Sequence, residues 1–129
     1  MSDIDLEIVN FFIDEALDLL EKWESVCLEL EAQPNKDSWD SLFRLAHNLK
    51  GSSKSCNLFS YGEFIHKVED LITAYRDGVI PFNQDGLGIL LNAQSIQMEW
   101  LGDLRLDPNC TKDTKSMLEK ISSLLGSKE

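Results

Sequence analysis

The stretch SLFRLAHNLKGSSK, residues 41–54, carries apolar or small side chains at steps of three and four. Residues at that spacing lie on one face of an α-helix. A histidine and two lysines occupy the neighbouring face. The stretch therefore predicts a helix with an inward apolar side and a polar side that carries the histidine. The inward residues are Leu42, Leu45, Ala46, Leu49 and Ser53, and the polar face holds His47, Lys50 and Lys54.

Helical spacing of apolar residues continues on both sides of this stretch. One helix is predicted before it, ending at Gln33-Pro34-Asn35, and three more are predicted after it. Because short connections favour antiparallel neighbours, the predicted fold class is all-α: an antiparallel four-helix bundle with an additional C-terminal fifth helix. The second helix should start near Asp37 or Ser38, and a turn should lie at Asn57. The third helix should end at Gly78 and Pro81. The fourth should span about Gln84 to Leu106, and the fifth about Lys112 to Leu125.

The chain has 129 residues, of which 43% are hydrophobic, enough for one domain over residues 1–129 with its own core. Trp39, near a helix start, fits either a core or a surface position. The residues expected inside include Phe12, Trp23, Phe64, Met98 and Trp100.

The net charge of −11 argues against nucleic acid as a partner. Its distribution is uneven, with −10 in residues 1–40, +2 in residues 41–76 and −3 in residues 77–129. The segment with both histidines is the only one that is not acidic. No apolar run is long enough to cross a membrane. The N-terminus lacks the basic character of a secretory signal. The three cysteines lack metal-site spacing, which predicts reduced thiols. We therefore expect a cytoplasmic protein that binds neither nucleic acid nor a membrane.

Four polar residues of the second and third helices are predicted to meet. His47 lies about nine residues before the turn near Cys56, and His66 lies about ten after it. With a rise of roughly 1.5 Å per residue in each helix, the two histidines reach similar heights. Glu69 shares the helix face of His66, and Lys50 shares that of His47. These four residues are the predicted site.

Such a cluster suits a nucleophilic imidazole. A neutral histidine attacks through its unprotonated ring nitrogen, and a carboxylate that accepts the other N–H fixes the tautomer. Glu69 is the candidate acceptor, and Lys50 is a candidate for stabilising negative charge that arrives on His47. Gly51 and Ser52 leave little side chain between the histidine and an approaching protein.

Two other interpretations remain open at the level of the residues. His47, His66 and Glu69 could hold a transition metal in the helical bundle, although the ammonium of Lys50 would oppose a cation. Metal analysis of protein purified without an affinity tag would test that interpretation. Alternatively, the chain could be a structural adaptor in which His47 is a dispensable surface residue.

The sequence LFRLAHNLKGSS, with HKVED beginning nineteen positions after its histidine, resembles the histidine phosphotransfer (HPt) domain. The resemblance is to the version that opens chemotaxis histidine kinases of the CheA type. It extends to the acidic first helix, to YRDG at the end of the third helix and to a fifth helix, and so covers nearly the whole chain. The matching positions are Leu42, Phe43, Arg44, His47, Lys50, Gly51, His66 and Glu69.

The resemblance implies a phosphorelay carrier and not an enzyme. A histidine kinase would phosphorylate His47 on Nε2, and the group would pass to an aspartate of a response regulator receiver domain. Glu69 would orient His47 through Nδ1, with Lys50 and His66 completing the polar network. The domain itself would bind no cofactor, since ATP and Mg²⁺ would act in the partner kinase and receiver. The predicted partner-binding residues are Arg44, Gly51, Ser52 and Lys54.

The chain departs from the family pattern in two places. Ser52, Ser53, Lys54 and Ser55 stand where the family has more glycine and alanine, and Asn57 stands where the turn usually has glycine. Lys54 adds bulk and charge near the histidine, which is expected to affect partner choice. No glycine-rich ATP-binding motif is present, so a free-standing protein and the N-terminal piece of a larger kinase both stay open.

Overall fold

The computed structural model describes residues 5–126; the two ends of the predicted domain, residues 1–4 and 127–129, lie outside the described part. Within it the chain forms five α-helices and no strand, which confirms the all-α prediction. No helix in this range combines the length and apolar composition that a membrane span requires. The helices are α1 (Leu6–Ala32), α2 (Lys36–Ser55), α3 (Phe59–Arg76), α4 (Gln84–Leu106) and α5 (Lys115–Gly126).

The first four helices form the predicted bundle. Helix α1 packs against α2 and α4, α2 packs against α3, and α5 lies against α3 and α4. The side-chain contacts between α2 and α3 run in opposite directions along the chain, which makes the two helices antiparallel. These contacts join Asp40 to Arg76, Lys50 to Glu69 and Lys54 to Glu63.

The core is aromatic at both ends. Tyr61 and Phe64 of α3 contact Trp100 of α4, and Phe12 of α1 meets Tyr61 edge-on. The sequence did not decide whether Trp39 lies in the core or on the surface. Its side chain is buried, stacked on Tyr75 and edge-on to Phe82. Phe12, Trp23, Phe64 and Trp100 are all buried, as predicted.

The prediction that Met98 points inward is wrong, since its side chain is 43% exposed. Helix α4 instead turns the neighbouring Gln97 into the core. There the Gln97 amide oxygen accepts a hydrogen bond from the Tyr61 hydroxyl (2.8 Å), and its NH₂ donates to the Ala93 carbonyl (3.1 Å). A buried amide is tolerated when its polar atoms are paired in this way.

The connections between the helices set where α2 and α5 begin and where the chain turns from α2 into α3. Helix α2 begins at Lys36 because the Asn35 side chain accepts a hydrogen bond from the Ser38 N–H (2.9 Å), so the predicted start was one or two residues late. Asn57 has φ 65°, which confirms the predicted left-handed turn between α2 and α3. Helix α5 begins at Lys115, three residues after the predicted start.

We predict that Asn35→Ala lowers the free energy of unfolding by about 1 kcal/mol, because the substitution removes the N-cap of α2. Urea denaturation followed by circular dichroism measures the loss. Asn92→Ala is the matched control: Asn92 is exposed within α4, where alanine has the higher helix propensity. Equal stability of Asn35→Ala and the unsubstituted protein would contradict the capping role.

Candidate functional site

Three of the four predicted site residues meet between α2 and α3. The Glu69 carboxylate lies between two groups of α2: one oxygen is 2.9 Å from His47 Nδ1, and the other accepts a hydrogen bond from Lys50 Nζ at 2.7 Å. His47 and Lys50 are three residues apart, so both face α3 from the same side of α2. The antiparallel arrangement brings Glu69 to their level. The predicted contact of His47 and Lys50 with Glu69 is therefore present.

The site combines a buried acid with an exposed base. The side chain of Glu69 is 8% exposed, whereas that of His47 is 59% exposed. Burial alone would raise the pKa of Glu69. The hydrogen bonds from Lys50 and His47 outweigh burial, together with the positive charge on Lys50 and the one on His47 whenever its ring is protonated, and they lower this pKa below its ordinary value. Glu69 is therefore a carboxylate at neutral pH.

The charge on Glu69 fixes the tautomer of the neutral imidazole. An ionised carboxylate can only accept hydrogen bonds, so Nδ1 of His47 must carry the hydrogen and donate it. The lone pair of the neutral ring then lies on Nε2, for which the described residues provide no hydrogen-bond partner. His47 thus presents a nucleophilic nitrogen on the exposed side of its ring.

Two residues that sequence reasoning gave no role in the site also contact it. The ring of Phe43 stacks on that of His47, with centroids 5.7 Å apart and an interplanar angle of 17°. The guanidinium carbon of Arg76 lies 4.8 Å from the centroid of Phe43. The spacing of four residues between Phe43 and His47 was a usable signal. Arg76 gave no such signal, because it comes from another helix.

The fourth predicted residue, His66, does not join the cluster. Its Nδ1 lies 3.7 Å from a Glu63 carboxylate oxygen, and its Nε2 lies 3.9 Å from one of Asp70. Both acids belong to its own helix, and the His66 side chain is 46% exposed. Similar height along two helices does not fix the direction of a side chain, and two acidic neighbours hold this imidazole on the outside of α3.

The four predicted partner-binding residues have different surroundings. Arg44 and Gly51 are exposed, and a Cβ on Gly51 would meet no atom within 4 Å. Ser52 is half-buried, and its hydroxyl donates to Glu15 of α1 at 3.4 Å. Lys54 turns towards α3, where its stem lies across Gly62 and its Nζ is 3.9 Å from Glu63. The roles of these four residues in partner binding stay predictions.

The geometry gives no support to the metal interpretation. Within residues 5–126, no group of three or more His, Cys, Asp or Glu side chains is arranged to hold a metal ion. His66 is turned to Glu63 and Asp70, and both oxygens of Glu69 are engaged by Lys50 and His47. The ammonium of Lys50 occupies the place beside the carboxylate where a cation would bind.

The sequence matches the family described as "Hpt domain" over residues 7–121. The chain belongs to the Hpt domain family. His47, Lys50 and Glu69 all lie within the matched range.

Curated relatives of this Hpt domain carry the name CheA. The chain is 38% identical over 119 residues to "Chemotaxis protein CheA" of Borreliella burgdorferi, covering 88% of the chain and 14% of that protein. It is 31% identical over 100 residues to "Sensor histidine kinase CheAY" of Helicobacter pylori, covering 77% of the chain and 12% of that protein. The chain therefore spans a small part of the length of these relatives.

A solved structure has the same fold as this Hpt domain. It is the phosphorylated P1 domain of CheA3 in complex with CheY6 from R. sphaeroides. The two chains align with a TM-score of 0.84 and 23% sequence identity, over 97% of this chain and all of the other. At this identity the likeness establishes the fold, a five-helix domain built on a four-helix bundle.

We predict that Glu69→Gln lowers the free energy of unfolding by about 1 to 2 kcal/mol at neutral pH, because two charge-assisted hydrogen bonds are weakened. The contribution of Glu69 is full above its pKa in the unfolded chain, and it is lost as the pH falls through the lower pKa of the folded state. The difference between the two proteins should therefore shrink as the pH falls below the ordinary value of 4.5.

Urea denaturation at a series of pH values measures this difference. Glu63→Gln is the matched control, since Glu63 lies on the same helix with its side chain 65% exposed and should change stability little. A difference between Glu69→Gln and the unsubstituted protein that stays constant into acid would contradict the proposed ionisation of Glu69.

Proposed function

We propose that this Hpt domain is a phosphoryl carrier in two-component signalling. His47 accepts the group from a histidine kinase and passes it to an aspartate of a response regulator receiver domain. One observation carries the proposal: the buried, ionised Glu69 holds Nδ1 of an exposed histidine at 2.9 Å and leaves Nε2 available. A histidine arranged in this way is a nucleophile for groups that another protein brings.

The first transfer uses the lone pair on Nε2. It attacks the γ-phosphorus of ATP held by the kinase, the bond from that phosphorus to the bridging oxygen breaks, and its electron pair leaves with ADP. The phosphorylated ring keeps its hydrogen on Nδ1 and carries positive charge. The carboxylate of Glu69 stabilises that charge at a distance of one hydrogen bond.

The second transfer returns the electron pair to Nε2. A carboxylate oxygen of the receiver aspartate attacks phosphorus, and the bond between phosphorus and Nε2 breaks. His47 is then neutral again and ready for another cycle. In this proposal ATP and Mg²⁺ belong to the kinase and the receiver, and the carrier is not itself an enzyme and binds no cofactor.

Lys50 supports this chemistry by holding Glu69. Its ammonium donates to one carboxylate oxygen at 2.7 Å, which leaves the other oxygen for His47. This contact also offsets the cost of burying the charge on Glu69. That Lys50 also stabilises negative charge arriving on His47 stays a prediction.

The relatives support a chemotaxis-type pathway. Curated matches are named chemotaxis protein CheA, and the structural neighbour is a phosphorylated CheA3 domain in complex with CheY6. We propose that this domain also exchanges its phosphoryl group with a CheA-type kinase core and a CheY-type receiver. The exchange would take place in the cytoplasm, where the kinase has ATP.

We predict that a CheA-type kinase core with ATP labels the protein with phosphate that is acid-labile and base-stable, and that His47→Gln abolishes the label. His66→Gln is the matched control: it removes the other exposed histidine of the chain and should leave most of the labelling intact. Labelling that survives in a folded His47→Gln variant would refute the proposed carrier residue.

We predict that Gly51→Gln slows transfer to a receiver domain about tenfold, since a clash of about 1.4 kcal/mol at the interface has that effect. The surroundings of Gly51 are open, so the fold should tolerate the side chain. Gly102→Gln, at an equally open glycine of α4, is the matched control. Labelling by phosphoramidate, a small donor that needs no docking surface, should stay normal in both variants. Normal receiver transfer in Gly51→Gln would contradict docking over this surface.

A further inference from the structure

We propose that Phe43 and Arg76 are positioning residues that hold the imidazole of His47 in the orientation that presents Nε2. This inference rests on the proposed phosphoryl transfer through His47. Neither residue is placed to form or break a bond to phosphorus, and neither takes part in the transfer itself. They act by fixing the plane of the ring that carries the group.

The ring of His47 needs a second restraint beyond Glu69. A hydrogen bond at Nδ1 fixes one atom of the imidazole but leaves the ring free to turn about that point. The core cannot supply the restraint, because the His47 side chain is 59% exposed. The half-buried Phe43, one helical turn earlier, supplies a flat surface at 5.7 Å and 17°. The two contacts together define the position and the plane of the ring.

Phe43 is itself held in place by Arg76. The planar guanidinium packs over the aromatic ring, a contact favoured by the negative face of the ring. Arg76 is itself held by two carboxylates, those of Asp77 at 3.1 Å and Asp40 at 3.9 Å. Asp40 precedes Phe43 by almost one turn and His47 follows it by one turn, so these three residues lie along one side of α2. Arg76 of α3 contacts Phe43 in the middle, and Arg76, Phe43 and His47 form a row across the two helices.

The row links the active histidine to the end of α3. Arg76 is the last residue of α3, and Asp77 is its C-cap. The orientation of His47 is therefore set by both helices, at Glu69 and again at Arg76. Arg76 does not contact His47, yet its substitution is then expected to change the reactivity of His47. This effect should require Phe43, which lies between the two.

A small donor tests this arrangement without any docking partner. In the reaction with phosphoramidate, the bond from nitrogen to phosphorus in the donor breaks, ammonia leaves, and a bond forms between phosphorus and Nε2 of His47. Phe43→Leu keeps apolar volume but removes the flat face, and Phe43→Tyr restores that face. Arg76→Met keeps the stem without the cation. Arg105→Met, at an arginine of α4 paired with Asp14, is the matched control.

Phe43→Leu should slow labelling of His47 by phosphoramidate roughly threefold, since a freed side chain spreads over up to three staggered positions. Phe43→Tyr should restore the rate, and Arg105→Met should leave it unchanged. Arg76→Met should slow labelling in the presence of Phe43 and have no further effect in Phe43→Leu. In NMR spectra, the ring-current shift of the His47 ring protons should disappear in Phe43→Leu and persist in Phe43→Tyr.

Two results would overturn the positioning role. One is an unchanged phosphoramidate rate and an unchanged His47 ring-current shift in folded Phe43→Leu. The other is a Phe43→Leu variant that the kinase labels more slowly but phosphoramidate labels at the normal rate. That result would make Phe43 a contact for the partner. Neither the phosphoramidate rate nor the ring-current shift requires a kinase. They therefore decide the positioning role even if no kinase labels His47, a result that would count against the proposed function alone.

Discussion

The contact of Glu69 with Lys50 and His47 is the constraint on which the site depends. A carboxylate with 8% of its side chain exposed is stable in ionised form only with strong partners, and both come from the neighbouring helix. The two hydrogen bonds therefore fix the register of α2 against α3. A sliding of one helix by a single turn would leave a buried charge unpaired. The same contact that makes this register favourable also orients the imidazole for chemistry.

The interior of the helical bundle holds in place the helices that carry this contact. Aromatic residues from three helices meet around Tyr61 and Trp100, and the Tyr61 hydroxyl is paired with the buried amide of Gln97. Every buried polar side-chain atom of the described residues has a hydrogen-bond partner. A fully paired interior favours one arrangement of the helices over its alternatives. The exposed His47 therefore stands on a scaffold whose own positions are well defined.

Patterns along the chain predicted the helices, because an apolar stripe follows directly from helical periodicity. Counting residues from the turn also placed His47, Lys50 and Glu69 at one level, since the rise per residue is constant. Direction around the helix was harder to predict. His66 turns to Glu63 and Asp70 on its own helix, and Gln97 takes the inward place assigned to Met98. Such outcomes depend on local competition between side chains, and so does the contact of Arg76 with Phe43, which joins two helices.

The contact between Lys54 and Gly62 carries a consequence for the history of the sequence. Lys54 is a departure from the small residues of the family pattern, and its long side chain lies where a Cβ on residue 62 would come within 2.6 Å of it. Because Gly62 of α3 has no side chain, there is room beside it for the stem of Lys54 from α2. A side chain at position 62 would therefore have to displace the Lys54 stem, so the effects of substitutions at positions 54 and 62 are expected to depend on each other. With a larger residue at 62, Lys54 would lose its place against α3, and its ammonium would lose the contact with Glu63 that this place allows.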